Sequence, residues 1–272
     1  MKPVILIVDD HPDILEFLKE VLEDDYILLT ASNGQIALDI LKREIINIIV
    51  SDVMMPIMDG FELCKEIKKD YELSHIPVIL LTAKNSLQSK IDGIEFGADA
   101  YIEKPFFPKH LKAQIANLIN SRFKIKEFFA NSPLIHIKSL AYTKIDDLFM
   151  ESLNNYINEN LDNFDLDVNH LANACFMSRP TLYRKIKSLT DLTPKQLINI
   201  TRLKKSAQLL LEGKKISEIS TNLGFGSQSY FTQSFFKQFN MTPTDFIKSK
   251  KTKNKVLDTK TLWKNYLQIV NI

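Results

Sequence analysis

The sequence predicts two domains of different class: an α/β domain built on a doubly wound, five-stranded parallel sheet, followed by an all-α domain made of a double helix-turn-helix. Three observations predict it. Through the first 121 residues, short apolar runs alternate with amphipathic stretches. Further on, residues 169–198 are echoed without a gap, 49 positions later, by residues 218–247. The charge divides with the pattern. Residues 1–121 carry 12 Lys+Arg against 20 Asp+Glu, a net of −8, and residues 122–272 carry 23 against 13, a net of +10, although the whole 272-residue chain carries only +2. The length alone leads one to expect about two domains, each able to bury its own core.

In chain order, residues 4–8, 26–31, 46–50, 78–81 and 100–102 read as strands, and residues 13–22, 34–42, 61–69, 87–96 and 108–121 as the helices between and after them. Five such β/α units imply a parallel sheet covered on both faces. Residues 122–145 begin as a helical continuation, break at Asn131-Ser132-Pro133 and then run extended, as a linker would. The helix expected over residues 146–161 carries an apolar stripe of Leu148, Phe149, Leu153, Tyr156, Ile157 and Leu161.

The two echoed units follow. In each, a short helix (168–175, then 216–223) leads through a turn of two or three residues to a serine, Ser178 or Ser227, suited to N-capping a second helix. Leu182 matches Phe231 and Ile186 matches Phe235 as core positions. Thr193-Pro194 matches Thr242-Pro243, each an N-cap followed by proline at the first helical position. A long helix over 194–211 would tie the two units rigidly together. After residue 248 come a basic tract, 248–255, and an amphipathic stretch, 257–269, containing Trp263, for which no role is assigned. The expected domain division is thus 1–121, a linker at 122–145, 146–248, and a tail at 249–272.

Several functional classes are excluded at this level. Cys64 and Cys175 lie in separate helical patterns with no partner motif, so they read as reduced and buried, and no zinc site is expected. No signal peptide is evident, and no apolar run approaches the ~20 residues needed to span a membrane, so a soluble, cytoplasmic chain is expected.

In doubly wound sheets the chemistry lies beyond the carboxyl ends of the strands. Here Asp9 and Asp10 follow the first strand, Asp52 ends the third, Thr82 and Ala83 end the fourth, and Lys104-Pro105 follow the fifth. Three clustered carboxylates repel one another unless a divalent cation neutralises them, and hard oxygen ligands suit Mg²⁺. A carboxylate can also attack phosphorus while a metal, a lysine and a hydroxyl stabilise the transferring oxygens, and Asp52 is the best-placed nucleophile. Taken singly, each residue has a plainer reading: Asp9-Asp10 as a helix cap, Asp52 as a turn carboxylate, Lys104 as a surface cation, Tyr101 as packing on an edge strand.

These motifs, with residues 97–106 (Gly-Ala-Asp-Ala-Tyr-Ile-Glu-Lys-Pro-Phe), resemble a response-regulator receiver domain, the phosphoacceptor module of two-component signalling, over residues 1 to about 121. The resemblance implies a flavodoxin-like fold, Asp52 as phosphoacceptor, and Mg²⁺ held by Asp9, Asp10, Asp52 and the backbone carbonyl of Met54. It implies Thr82, Ala83 and Lys104 in the phosphoryl-contacting set, Tyr101 as the switch aromatic, and a cis peptide at Lys104-Pro105. His11 flanks this site and is given no role.

Over residues 146–248 the arrangement resembles the arabinose-regulator (AraC/XylS) type of DNA-binding domain, most specifically at Ile216-Ser217-Glu218-Ile219, Leu223-Gly224-Phe225 and Ser229-Tyr230-Phe231. By that resemblance Arg179, Pro180, Tyr183 and Arg184 would read DNA from the first unit, and Gln228, Ser229, Thr232 and Gln233 from the second. Arginine to guanine and glutamine to adenine are the sensible base pairings. Leu182, Ile186, Phe231, Phe235 and Phe239 would face the core, while Lys185, Lys187 and Lys237 would touch phosphate or stand in solvent. The order of the parts also resembles the end of hybrid two-component regulators, in which sensor, kinase and regulator share one chain.

The expected function is a phosphorylation-controlled, sequence-specific transcription regulator and not an enzyme. A sensor histidine kinase would supply the phosphoryl group, double-stranded DNA would be the other partner, and phosphorylation would pair two chains as a homodimer. The receiver face built from residues 87–96, 100–102 and 108–121 would make that pairing. The alternatives are a phosphorylation-independent DNA-binding scaffold whose receiver only dimerises, and a phosphotransfer enzyme. The latter lacks a second general acid beside Asp52 and any substrate-specificity insert.

Overall fold

The computed structural model describes residues 2–83 and 97–253. The chain divides into two compact units, Met1–Asn120 and Ser121–Ile272. The helices expected over 87–96 and 257–269 lie outside the described residues.

The first unit contains β1 (Val4–Val8), α1 (Pro12–Leu22), β2 (Ile27–Ala31), α2 (Gly34–Leu41), β3 (Ile48–Asp52), α3 (Gly60–Lys69), β4 (Val78–Ala83), β5 (Ala100–Lys104) and the start of α4 (Pro108–Asn131). Every strand pairing is parallel, and the order is β2-β1-β3-β4-β5. Continuous apolar runs form the central strands because both sheet faces are covered. Leu6, Val8 and Ile49 pack with Ala37, Leu41, Leu63 and Ile67 on one side. Ile5, Ile7 and Val50 pack with Leu18, Leu22, Leu111 and Ile115 on the other. Strands β3, β4 and β5 run further than their apolar cores, to Asp52, Ala83 and Lys104, because ladder pairing continues through Asp52↔Leu81 and Ala83↔Lys104. The polar residues at the strand ends are therefore held by the sheet itself. Local signals start the helices on this unit: the Asn33 side chain accepts from the Ile36 amide, and Asp59 and Glu62 form a reciprocal capping box.

The second unit holds α5 (Lys144–Glu159), α6 (Val168–Ala174), α7 (Arg179–Thr190), α8 (Pro194–Leu211), α9 (Ile216–Asn222), α10 (Gln228–Phe239) and α11 (Pro243–Lys253). The segment 122–145, expected as a linker, is instead part of this unit's core. Ile125 and Phe129 from the end of α4, and Ile137 and Leu140 from a 3₁₀ turn at Ile137–Leu140, are buried with Phe149, Leu153, Leu197 and Leu203. The break after Asn131 is present, but an extended run is not. Its polar ends are satisfied by distant residues: Lys204 Nζ donates to the carbonyls of Phe129 and Ser132, and Gln238 Nε2 to that of Ala130. Those three carbonyls lie at or just past the end of α4, where helical partners run out.

The echoed units form as matched helix pairs. Ser178 and Ser227 cap α7 and α10 through the amides of Thr181 and Tyr230. Both helices end on a residue in the left-handed region, Asp191 (φ 60°) and Asn240 (φ 53°), before Thr-Pro starts the next helix. Phe225, Phe231, Phe235 and Phe239 pack in succession, and Phe246 packs on Phe235, in tilted or edge-on pairs with ring centroids 4.9–5.8 Å apart. The aromatic stripe is core. The turns differ between copies: Phe225 is buried between Gly224 and Gly226, both at positive φ, whereas its counterpart Phe176 is 98% exposed.

Candidate functional site

At the carboxyl edge of the first unit's sheet, four predicted residues come together. Asp9, fully buried, and Asp52, nearly so, are joined by one cation: Lys104 Nζ lies 3.1 Å from Asp9 Oδ2 and 2.6 Å from Asp52 Oδ1. Burial pulls the Lys104 ammonium toward the neutral form, but the hydrogen bonds and charges of Asp52, then of Asp9, outweigh it and hold the pKa above the ordinary lysine value. The other Asp52 oxygen, Oδ2, accepts from the Met54 amide at 3.2 Å, and Asp9 Oδ1 accepts from the His11 amide at 2.9 Å.

Asp10 stands beside Asp9 with Oδ1 shielded from solvent and without a hydrogen bond among the described residues, although His11 Nδ1 approaches it to 2.9 Å. Oxygens of Asp9 and Asp10 and a ring nitrogen of His11 all lie within 4.8 Å of one another. A shielded carboxylate oxygen lacking a donor, next to a second carboxylate, fits a hard divalent cation. His11 was given no role by sequence reasoning, yet it touches both acids. Its adjacency to the Asp-Asp pair was the only signal.

The loop after β3 is shaped around this pocket. Gly60 packs so closely that an added Cβ would fall 2.1 Å from the Asp52 carbonyl oxygen, so only glycine fits there. Met54 and Ile57 on the same loop are largely exposed, Ile57 in the left-handed region at φ 72°. Thr82 is buried at the end of β4, followed by Ala83, and Lys104-Pro105 is cis. Tyr101 is half-buried against the α2/α3 face. Burial foremost pushes its pKa up to about 12, so the phenol stays protonated at neutral pH.

On the second unit, Arg179, Pro180 and Tyr183 are exposed on α7, with Arg184 half-buried, and Gln228, Ser229 and Gln233 are exposed on α10. Thr232 is half-buried, its hydroxyl donating to the Gln228 carbonyl. Leu182, Ile186, Phe231, Phe235 and Phe239 are buried behind them. Each of these two helices thus has one packed face and one largely exposed face. One expectation fails: Lys185 neither stands in solvent nor is free for phosphate. Its side chain is fully buried, 3.4 Å from the buried Asp146 carboxylate and 4.9 Å from the Phe149 ring centroid. Asp146 lies on α5, 39 residues earlier, so the sequence around Lys185 carried no sign of it. Lys187 is half-buried, its ammonium donating to the Asp191 carbonyl, and Lys237 is exposed.

A parallel sheet with an acid pocket, joined to a pair of helix-turn-helix units, defines a response regulator of the DNA-binding class. Comparison with known proteins agrees. The model of the response regulator receiver domain matches residues 5–116, and that of a helix-turn-helix domain matches residues 171–249. The chain belongs to the response regulators, with a receiver domain and a helix-turn-helix domain of the arabinose-regulator type. It is 42% identical over 246 residues to histidine kinase P4 of Formosa agariphila, covering 90% of this chain and 18% of that protein. It is 40% identical over 148 residues to the probable transcriptional regulator ycf27 of Porphyra purpurea, covering 53% of this chain and 58% of that one. The chain therefore spans between about a fifth and three-fifths of these relatives' lengths. Among solved structures, a putative response regulator from Chloroflexus aurantiacus is 32% identical, with a TM-score of 0.43, covering 44% of this chain and 98% of that one. Among the described residues no helix is long and apolar enough to cross a membrane.

Proposed function

We propose that this chain is a phosphorylation-controlled, sequence-specific DNA-binding transcription regulator, acting as a switch and not as a turnover enzyme. The observation that carries this reading is Lys104 bridging Asp9 and Asp52 at the end of a sheet whose chain continues into two capped, half-exposed helices.

In the proposed step, an Asp52 carboxylate oxygen attacks the phosphorus of a phosphohistidine on a sensor kinase. The P–N bond breaks, and the histidine leaves with its electron pair. Lys104 would move from Asp52 to an oxygen of the transferred group, and the Thr82 hydroxyl and the backbone at Ala83 would bond others. Asp9, Asp10, Asp52 and the Met54 carbonyl would hold Mg²⁺, which when bound neutralises the crowded negative charge. The acyl phosphate carries about −1.5 to −2 charges where the carboxylate carried −1, so negative charge grows at a nearly buried position. Thr82 and Tyr101 would then reposition, and the altered receiver surface would pair two chains. Pairing raises the apparent affinity for repeated sites. DNA would be read by Arg179, Pro180, Tyr183 and Arg184 on one helix and by Gln228, Ser229, Thr232 and Gln233 on the other. In functional terms the receiver would occupy 1–121 and the reader would extend to residue 248.

The test is acceptance of phosphate from acetyl phosphate and Mg²⁺, read by intact-protein mass. One phosphoryl group on the parent and none on Asp52→Asn is the expected result. Equal labelling of both proteins would show that Asp52 is not the nucleophile.

A further inference from the structure

In the second unit a cavity of about 190 Å³ lies between the end of α4, the 3₁₀ turn, α5 and α8. Phe129, Leu134 and Ile137 give it an apolar wall, while Asn154 and Gln208 supply amides. Lys204 enters it from α8 and is only 9% exposed. Its ammonium donates to the Phe129 carbonyl at 2.7 Å and to the Ser132 carbonyl, and it sits 4.2 Å from the centre of the Phe129 ring.

All of these partners are neutral. An ammonium has three N–H donors, and two backbone carbonyls leave one of them over. A buried cation without a counter-charge is costly. Burial alone pulls Lys204 down to about 7, and among the described residues no carboxylate opposes it. Among the described residues, buried Lys185 and half-buried Lys126 each face an aspartate. Lys204 differs in facing a cavity.

We propose that this cavity binds a small organic carboxylate, with Lys204 as its counter-ion and the Phe129, Leu134 and Ile137 wall against its carbon skeleton. The amides of Asn154 and Gln208 are within the same lining for any remaining oxygens. The volume is below that of pockets for drug-sized ligands, which limits the occupant to a small metabolite. An apolar wall favours a carboxylate with a hydrocarbon portion over a fully polar anion such as phosphate. The proposal is independent of the phosphoacceptor reading, since none of its residues belongs to the acid pocket.

Titration calorimetry on the full chain with butyrate, lactate, succinate and inorganic phosphate at matched ionic strength tests it. The expected result is saturable binding of at least one carboxylate, stronger than that of phosphate, and weakened about 10- to 100-fold by Lys204→Met, as loss of a charged hydrogen bond implies. Should Lys204→Met fail to fold, Asn154→Asp adds a like charge to the lining without touching the core. It should weaken the same carboxylate about tenfold or more, because the new carboxylate repels the ligand and supplies Lys204 with a counter-charge of its own. The proposal is overturned if no carboxylate binds, if phosphate binds as well as the best carboxylate, or if the affinity survives the variant that folds.

Discussion

Gly60 shows how much a single residue can contribute to the acid pocket without touching a ligand. With 2.1 Å between a would-be Cβ and the Asp52 carbonyl oxygen, Gly60→Ala must push the end of β3 away. Overpacking of this kind costs roughly 1–3 kcal/mol. We expect urea unfolding of Gly60→Ala to show that loss and its phosphorylation by acetyl phosphate to slow. An unchanged midpoint would mean that the close approach is not kept in solution. Lys185 makes the complementary case in the second unit. Lys185→Met removes the cation from a buried Asp146 and should cost about 3–5 kcal/mol, whereas Lys185→Met with Asp146→Leu should recover much of it. A double variant as unstable as the single one would argue against the pair. At this scale the sequence revealed Asp9, Asp52 and Lys104 because strand ends bring them to one edge. It hid Lys185–Asp146 because packing between α5 and α7 joins residues far apart in the chain.

At the scale of elements, what could be read depended on how local the cause was. Caps, Thr-Pro starts and the apolar faces of α7 and α10 depend on residues within one or two turns, and they appear where expected. Residues 122–145 did not read correctly, because the groups that hold them, Lys204 and Gln238, come from α8 and α10. That anchoring has a pH signature. Between about 7 and the ordinary lysine value of 10.5, unfolded Lys204 holds a proton that the folded residue lacks, so stability rises with pH there. Lys126, lowered chiefly by burial, acts in the same direction. Cys175, raised by burial from 9.0 to about 11, acts in the opposite direction once its unfolded thiol ionises above pH 9. The urea midpoint of the second unit should therefore climb from pH 7 to pH 9, and Lys204→Met should flatten the climb. A midpoint that is flat in the parent would contradict the buried, uncompensated ammonium.

For the whole molecule, the class of each unit was legible because it follows from period and order: alternating strands and helices give a parallel sheet, and a duplicated helix pair gives two readers. The charge division of −8 against +10 belongs to this scale too. A basic reader attracts duplex DNA regardless of sequence, and salt weakens that attraction, so control must be sought as a change in specific binding at fixed salt. The proposed coupling of the two units was not legible, since coupling is a free-energy difference between states and not a pattern in a chain. The most direct test is the affinity for a selected duplex, measured with and without acetyl phosphate and Mg²⁺ for the parent and for Asp52→Ala. Tighter binding to a repeated site on phosphorylation, by about tenfold or more, in the parent alone is the predicted result. Specific binding that ignores phosphorylation in the parent would contradict it and leave the receiver as a scaffold.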